Sequence, residues 1–145
     1  MTTMKKSDNH MKLYIPSLSV NEGLARQAVA SFVAQLNPTI EEISDIKCAV
    51  SEAVTNSIVH GYKFKEGIIY IGVKYYCDRT VVIEIRDNGC GIEDVQKAMT
   101  PLYTTDTTGE RSGMGFAVMQ TFMDKLDVRS IRDQGVRIIM TKKLS

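Results

Sequence analysis

Glu52 and Asn56 stand four residues apart in VSEAVTNSIVHGY, residues 50–62. At helical pitch this spacing puts a carboxylate and a carboxamide on one face, one turn apart. Val50, Ala53, Val54 and Ile58 spread over the opposite side. Polar groups are costly to bury, so such a pair needs either a use or a solvent. The carboxylate could take a proton from a hydroxyl or a water as general base. The Asn carbonyl could serve Mg2+, a hard cation that prefers oxygen. On these two residues alone, the plainer reading of a Glu that faces water is the stronger.

Asp87, Gly89 and Gly91 form a second group in RDNGCGI, residues 86–92. A strand would end in a carboxylate, followed by glycines through which backbone can approach a ligand closely. The carboxylate can accept a hydrogen bond from an exocyclic amine such as that of adenine. D-N-G is also a turn signal in its own right. The third group is GERSGMGF, residues 109–116, where a glycine-bearing loop runs into a helix. Backbone N–H groups and the helix dipole there favour phosphate. Arg111 can add a charge-assisted contact to a terminal phosphate. A lone G-x-G fits an ordinary helix start equally.

These groups need elements to hold them. MKLYIPS reads as a first strand ending at Pro16. Two capping boxes, Ser19 with Glu22 and Thr39 with Glu42, open two helices. The first helix has an apolar stripe of Leu24, Ala28, Val29, Phe32, Val33 and Leu36, and Pro38 breaks the pattern. The second carries Ile43, Ile46, Val50, Ala53 and Val54, with Gly61 as C-cap. It is the helix of Glu52 and Asn56. Two strands follow, GIIYIGVKYY and RTVVIEIRD, joined by a tight turn near residues 77–79. Val81, Ile83 and Ile85 alternate with Val82, Glu84 and Arg86, which predicts one buried face. Residues 93–99 read as a short helix and 100–112 as a loop. Residues 113–126 read as a helix with Ala117, Met119, Phe122, Met123 and Leu126 inward. LDVRSI and GVRIIMT close the chain as a hairpin turning at residues 133–135. This order, with short turns, predicts an α/β fold. It is a two-layer α/β sandwich whose sheet is mixed but mostly antiparallel, with helices on one face.

A length of 145 residues suits one domain, taken as residues 11–145 behind a disordered tail of residues 1–10. That tail lacks the apolar stretch of a signal peptide. A net charge of +1 gives no electrostatic case for nucleic acid or a membrane surface. No run reaches the length of a membrane span. Three cysteines without C-x-x-C spacing favour a reducing cytoplasm over a disulfide framework or a zinc site. The methionines read as core filler, and His60 as a structural helix-end residue.

Taken in order, helix E-x-x-x-N, strand-end D-x-G-x-G, then G-x-G at a helix start, the three groups resemble the GHKL ATPase superfamily. Its members include histidine kinases, DNA gyrase and mismatch-repair ATPases, and share the Bergerat ATP-binding fold. The chain has no G-x-x-x-x-G-K-[ST] loop and no H-R-D or D-F-G set, the marks of competing nucleotide folds. SEAVTNSIVHGY, RDNGCGI and PLYTTDTTGERSGMGF are similar to the anti-sigma factors of spore-forming bacteria that are also serine kinases. The similarity runs over about residues 11–143.

The resemblance implies roles. Glu52 becomes the base, Asn56 the Mg2+ ligand, Asp87 the adenine reader, and Gly89 and Gly91 the turn beside the base. Residues 100–112 become a lid, with Thr104 and Thr105 among the nucleotide contacts. Gly113 and Gly115 lie beside the phosphates, with Arg111 on the terminal one, and Ser112 and Met114 are further nucleotide contacts. The implied cofactors are ATP and Mg2+. The implied partners are a sporulation sigma factor (sigma F), an anti-anti-sigma protein whose serine is the acceptor, and a second copy of the chain. Pairing of the two copies is expected through MKLYIPS and the nearby first helix. Arg26, off the apolar stripe, is an implied partner contact. No direct nucleic-acid or membrane contact is expected, and the location is cytoplasmic. Three alternatives stay open. One is a similar kinase for a general-stress sigma factor. Another is a non-catalytic module that uses ATP only to shape its surface. The third is a detached histidine-kinase domain, although no histidine-bearing dimerisation helix or sensor region precedes the domain.

Overall fold

The computed structural model describes residues 6–92, 115–131 and 133–145. The short helix expected over 93–99 and the loop expected over 100–112 lie outside them. In chain order the elements are β1 (Asn9–Pro16), α1 (Asn21–Val33) and a 3-10 turn (Ala34–Leu36). Then come α2 (Ile40–Asn56), a π-helical turn (Ser57–Gly61), β2 (Ile68–Tyr75) and β3 (Thr80–Asp87). The last are α3 (Gly115–Phe122), β4 (Lys125–Ile131) and β5 (Gly135–Lys143).

The five strands form one sheet in the order β1-β2-β3-β5-β4. Every pair is antiparallel, so the sheet expected to be mixed carries one direction of pairing throughout. Register follows from the two-residue period of the side chains. Ile71 faces Ile85, and Val73 faces Ile83. Ile83 faces Met140, and Ile85 faces Ile138. These residues, with Ile15, Ile69, Val81 and Val136, make the buried face. Asp87 falls on the same face, opposite Ile69, as the last residue of β3. The other face presents Tyr14, Tyr70, Arg86, Glu84 and Arg137. The Tyr14 and Tyr70 rings are 5.1 Å apart, and the Arg86 guanidinium sits 4.4 Å from the Tyr70 ring.

The helices cover the buried face. α2 supplies Ile46, Ala49, Val50, Ala53 and Val54, and α1 supplies Ala25, Val29, Phe32 and Val33. The stripe of α1 is centred one residue away from the expected one: Ala25 is buried and Leu24 is 53% exposed. The capping box at Thr39 forms. Its hydroxyl accepts from Glu42 N–H at 3.1 Å, and the Glu42 carboxylate accepts from Thr39 N–H at 2.9 Å. The box expected at Ser19 does not form. Val20 caps α1 without a side-chain bond, because the Glu22 carboxylate turns instead to Ser51 and Arg26.

Three other boundaries differ from expectation. β1 begins at Asn9, so the expected tail overlaps it at Asn9 and His10; Asn9 Nδ2 reaches Gln35 Oε1 at 3.0 Å and Tyr75 Oη at 3.1 Å. α3 ends at Phe122, and Leu126 belongs to β4. The helix of Glu52 does not run unchanged to a Gly61 cap. After Asn56 it widens, with Tyr62 N–H donating to Ser57 C=O at 2.8 Å, and Tyr62 closes it. Single π turns of this kind recur at functional sites. The turns at residues 77–79 and 133–135 form where expected, with positive φ at Arg79 (70°), Asp133 (63°) and Gly135 (106°).

Candidate functional site

Glu52 and Asn56 are half-buried on α2, while their neighbours Ala53 and Val54 are wholly buried. Glu52 borders a cleft where α2 leaves the core, and Asn56 is not among the residues that line it. α1 borders that cleft with Arg26 and Gln27, α2 with Lys47, Ser51 and Glu52, and α3 with Val118 and Phe122; its volume is about 480 Å³. Gly115 stands close against the carboxylate: a Cβ at that position would lie 3.5 Å from Glu52 Oε2. The first and third sequence groups therefore meet. Arg26 borders the same cleft. Its Nη1 is 3.3 Å from Glu22 Oε1 and 3.5 Å from Ser51 Oγ, and Ser51 also donates to Glu22. Arg111, Ser112, Gly113, Met114, Thr104 and Thr105 lie outside the described residues.

The second group joins the first through the π turn. Asp87 is 3% exposed, and its oxygens are occupied. Oδ2 accepts from the Ser57 hydroxyl at 2.7 Å. Oδ1 accepts from Gly89 N–H at 2.9 Å and Val136 N–H at 3.3 Å. Burial pushes the Asp87 carboxyl above the usual carboxylate range, and these three donors pull it back only in part. Ser57 directly follows Asn56, so the carboxamide and the buried carboxylate share one turn of chain.

Close backbone approach explains the glycines. A Cβ at Gly61 would sit 3.0 Å from Asp87 Oδ2. A Cβ at Gly89 would overlap the Gly61 carbonyl, whose oxygen accepts from Cys90 N–H at 2.9 Å. Gly91 follows with φ of 76°, in the region glycine enters without penalty. The Cys90 thiol donates to the His60 carbonyl at 3.1 Å, and Tyr62 Oη accepts from Asn88 N–H at 2.8 Å. D-x-G-x-G is thereby laid against the end of the helix that carries Glu52 and Asn56.

Sequence reasoning gave Ser57, Tyr62 and Val136 no role, and read Gly61 only as a helix cap. Ser57, Gly61 and Tyr62 stand inside the quoted motif, and a hydroxyl among apolar residues was the available signal at Ser57. Val136 could not be found locally, because its contribution is a main-chain N–H from a strand far along the chain. Among the described residues no group of three or more His, Cys, Asp or Glu could hold a metal ion. What the site offers a cation is the Asn56 carboxamide oxygen. That suits Mg2+, which takes one or two protein oxygens and completes its shell with water and phosphate.

The histidine kinase-like ATPase domain family matches residues 15–142. An anti-sigma F factor of Clostridium botulinum is 60% identical over 139 residues, which cover 95% of this chain and 96% of that one. An anti-sigma F factor of Clostridium perfringens is 53% identical over 138 residues, covering 95% and 99%. Among solved structures, the RsbU and RsbW domains of a Mycobacterium tuberculosis protein superpose with a TM-score of 0.68 at 16% identity, over 94% of this chain and 32% of that one. That likeness concerns the fold.

Proposed function

Because the chain belongs to the anti-sigma F factors, within the histidine kinase-like ATPases, we propose that it binds and inhibits a sporulation sigma factor, and uses Mg-ATP to phosphorylate a serine of an anti-anti-sigma antagonist. The observation that carries the enzymatic half is the position of Glu52. It is a half-buried carboxylate one turn before Asn56, with Gly115 packed beside it and the Ser57 contact to Asp87 beginning at the next turn. A module that only bound nucleotide would need no base at that place.

In this reading Asp87 accepts the exocyclic amine of adenine, and Gly89 and Gly91 let backbone lie along the base. Glu52 takes the proton of the acceptor serine as its oxygen attacks the γ-phosphorus and ADP departs. Arg111 and main-chain N–H groups near Gly113 and Gly115 stabilise charge on the transferring group. Thr104, Thr105, Ser112 and Met114 complete the nucleotide contacts. Asn56 would hold Mg2+, which would supply charge neutralisation at the phosphates. The protein works in the cytoplasm as a homodimer. Among the described residues no helix is long and apolar enough to cross a membrane.

Inhibition and phosphorylation use different groups. Sigma-factor binding needs a surface, to which Arg26 contributes; transfer needs Glu52. Glu52→Ala is expected to abolish labelling of the antagonist by radiolabelled ATP while still retaining sigma factor in a pull-down at saturating Mg-ATP. Arg26→Glu is expected to do the reverse for sigma factor, with ATP affinity little changed. The labelled product should survive acid, as phosphoserine does and phosphohistidine does not. Transfer at a near wild-type rate by Glu52→Ala removes it from the mechanism. Loss of sigma factor by a folded, ATP-binding Glu52→Ala refutes the separation of surface from chemistry.

A further inference from the structure

Ser57 takes no part in the chemistry proposed above, yet at 1% exposure it is the most deeply buried polar side chain among the described residues. It opens the π turn, directly after Asn56, and its hydroxyl donates to Asp87 Oδ2 at 2.7 Å. We propose that Ser57 is a specificity-determining residue: by donating to Asp87 it keeps that carboxylate an acceptor, and so selects adenine over guanine nucleotides. This rests on the reading of Asp87 as the group that meets the base.

The lone pairs of Asp87 decide what it can meet. An ionised carboxylate has about four acceptor positions. Gly89 and Val136 N–H groups fill Oδ1, and Ser57 takes one position on Oδ2. The remaining position can only accept. Adenine offers an amine hydrogen there, whereas guanine offers a carbonyl oxygen, and two acceptors face to face repel. Guanine fits only where the carboxyl carries a proton on Oδ2 and donates it. Burial favours that proton, and the three donors oppose it. Of the three, two are main-chain N–H groups that only a proline would remove. Ser57 is therefore the adjustable contact.

The surroundings leave the carboxylate little freedom to find another partner. Gly61 presses on it, with a Cβ there 3.1 Å from Asp87 Cγ. The titratable residues of the π turn and the glycine turn are His60 within the former, Tyr62 directly after it, and Cys90, while Tyr70, Glu84, Arg86 and Arg137 of the adjoining strands lie on the other face of the sheet. Tyr62 Oη is engaged by Asn88 N–H and the Ile68 carbonyl, and the Cys90 thiol by the His60 carbonyl. Among the described residues no charged side chain hydrogen-bonds to Asp87, so no neighbouring charge substitutes for the Ser57 hydroxyl.

The test is calorimetry on the full chain with Mg-ATP and Mg-GTP, from mildly acidic to neutral pH. The proteins are wild type, Ser57→Ala, Ser57→Thr and Asp87→Asn, each checked for folding by circular dichroism. Losing one hydrogen bond to a charged group should weaken ATP binding by about tenfold in Ser57→Ala and narrow the ATP-over-GTP preference by a similar factor. On acidification Ser57→Ala should lose ATP at a higher pH than wild type. Ser57→Thr, which keeps the hydroxyl, should restore both properties. Should Ser57→Ala not fold, Ser57→Cys, with its weaker donor, is expected to shift both readouts in the same direction. A folded Ser57→Ala or Ser57→Cys with the wild-type nucleotide ratio and pH profile overturns the proposal. If Asp87→Asn binds ATP as wild type does, the assignment of Asp87 to the base fails, and the role of Ser57 with it. If Asp87→Asn loses ATP while the Ser57 variants match wild type, only the role of Ser57 fails.

Discussion

Asp87 answers to two opposed demands. It must stay a charged acceptor to hold an amine, and it is 3% exposed among apolar residues. Burial wins in the unliganded protein and raises its affinity for a proton. The sign of the linkage follows. The folded form binds a proton on Asp87 more readily than the unfolded chain does. The stability this contributes is complete below the ordinary carboxylate range and is lost as pH rises through the raised folded value. Asp87→Asn removes the titration and keeps the partners satisfied. Its amide oxygen can accept the Gly89 and Val136 N–H groups, and its NH2 can donate to Ser57. The stability difference between Asp87→Asn and wild type should therefore favour the variant more at neutral pH than in the acidic window. Urea melts at several pH values measure it, and a difference that stays constant with pH would mean that Asp87 titrates like an exposed carboxyl. The same residue shows what was legible beforehand. Its type and its place before two glycines pointed to an amine. Its three donors did not, since Val136 and Gly89 contribute only main-chain groups.

At the level of elements, the sequence announced two capping boxes of equal quality, and one formed. Thr39 is extended (φ −69°, ψ 162°) and exchanges both bonds with Glu42. Those bonds to Thr39 and one to Ser145 N–H hold the Glu42 carboxyl below the usual range. At Ser19 the glutamate had a competing offer from Ser51 on the facing helix, which no local pattern reveals. Thr39→Ala should cost about 1 kcal/mol, whereas Ser19→Ala should change stability by less than about 0.5 kcal/mol. Equal losses in chemical denaturation would mean that Ser19 serves α1 in another way. The strands were readable because their period is two and one face is buried, as with Val81, Ile83 and Ile85. The stripe of α1 was harder to read. Small Ala25 faces inward, a choice set by how closely α1 approaches α2, while the larger Leu24 is left outside. The π turn was invisible in residue types, because SIVHG is an acceptable α-helical string.

For the molecule as a whole, the order of elements and the two-layer arrangement followed from patterning, but the meeting of the three groups is a tertiary fact. Gly115 reaches Glu52, and Asp87 reaches Ser57, only once the sheet order β1-β2-β3-β5-β4 is in place. That order leaves β1 on an edge, and Tyr14 within it is 63% exposed. An unpaired edge with exposed aromatic surface is a place for a second chain, in keeping with the homodimer proposed. Sedimentation at micromolar concentration should give twice the mass of the chain, and substituting charge at Tyr14 should return it to the monomer; a monomeric wild type would exclude the assignment. The π turn has a further bearing on how this chain can vary. A helix is a counting device: each residue advances the direction of its side chains by about 100°. Deleting one residue between Asn56 and Gly61 would turn the Tyr62 N–H to Ser57 C=O bond into that of an ordinary α turn, narrowing the helix where Gly61 meets the Asp87 carboxylate while every motif letter stayed intact. In that segment the number of residues is set more strictly than the kind of most of them, and a chain of this lineage can change its letters there more readily than its length.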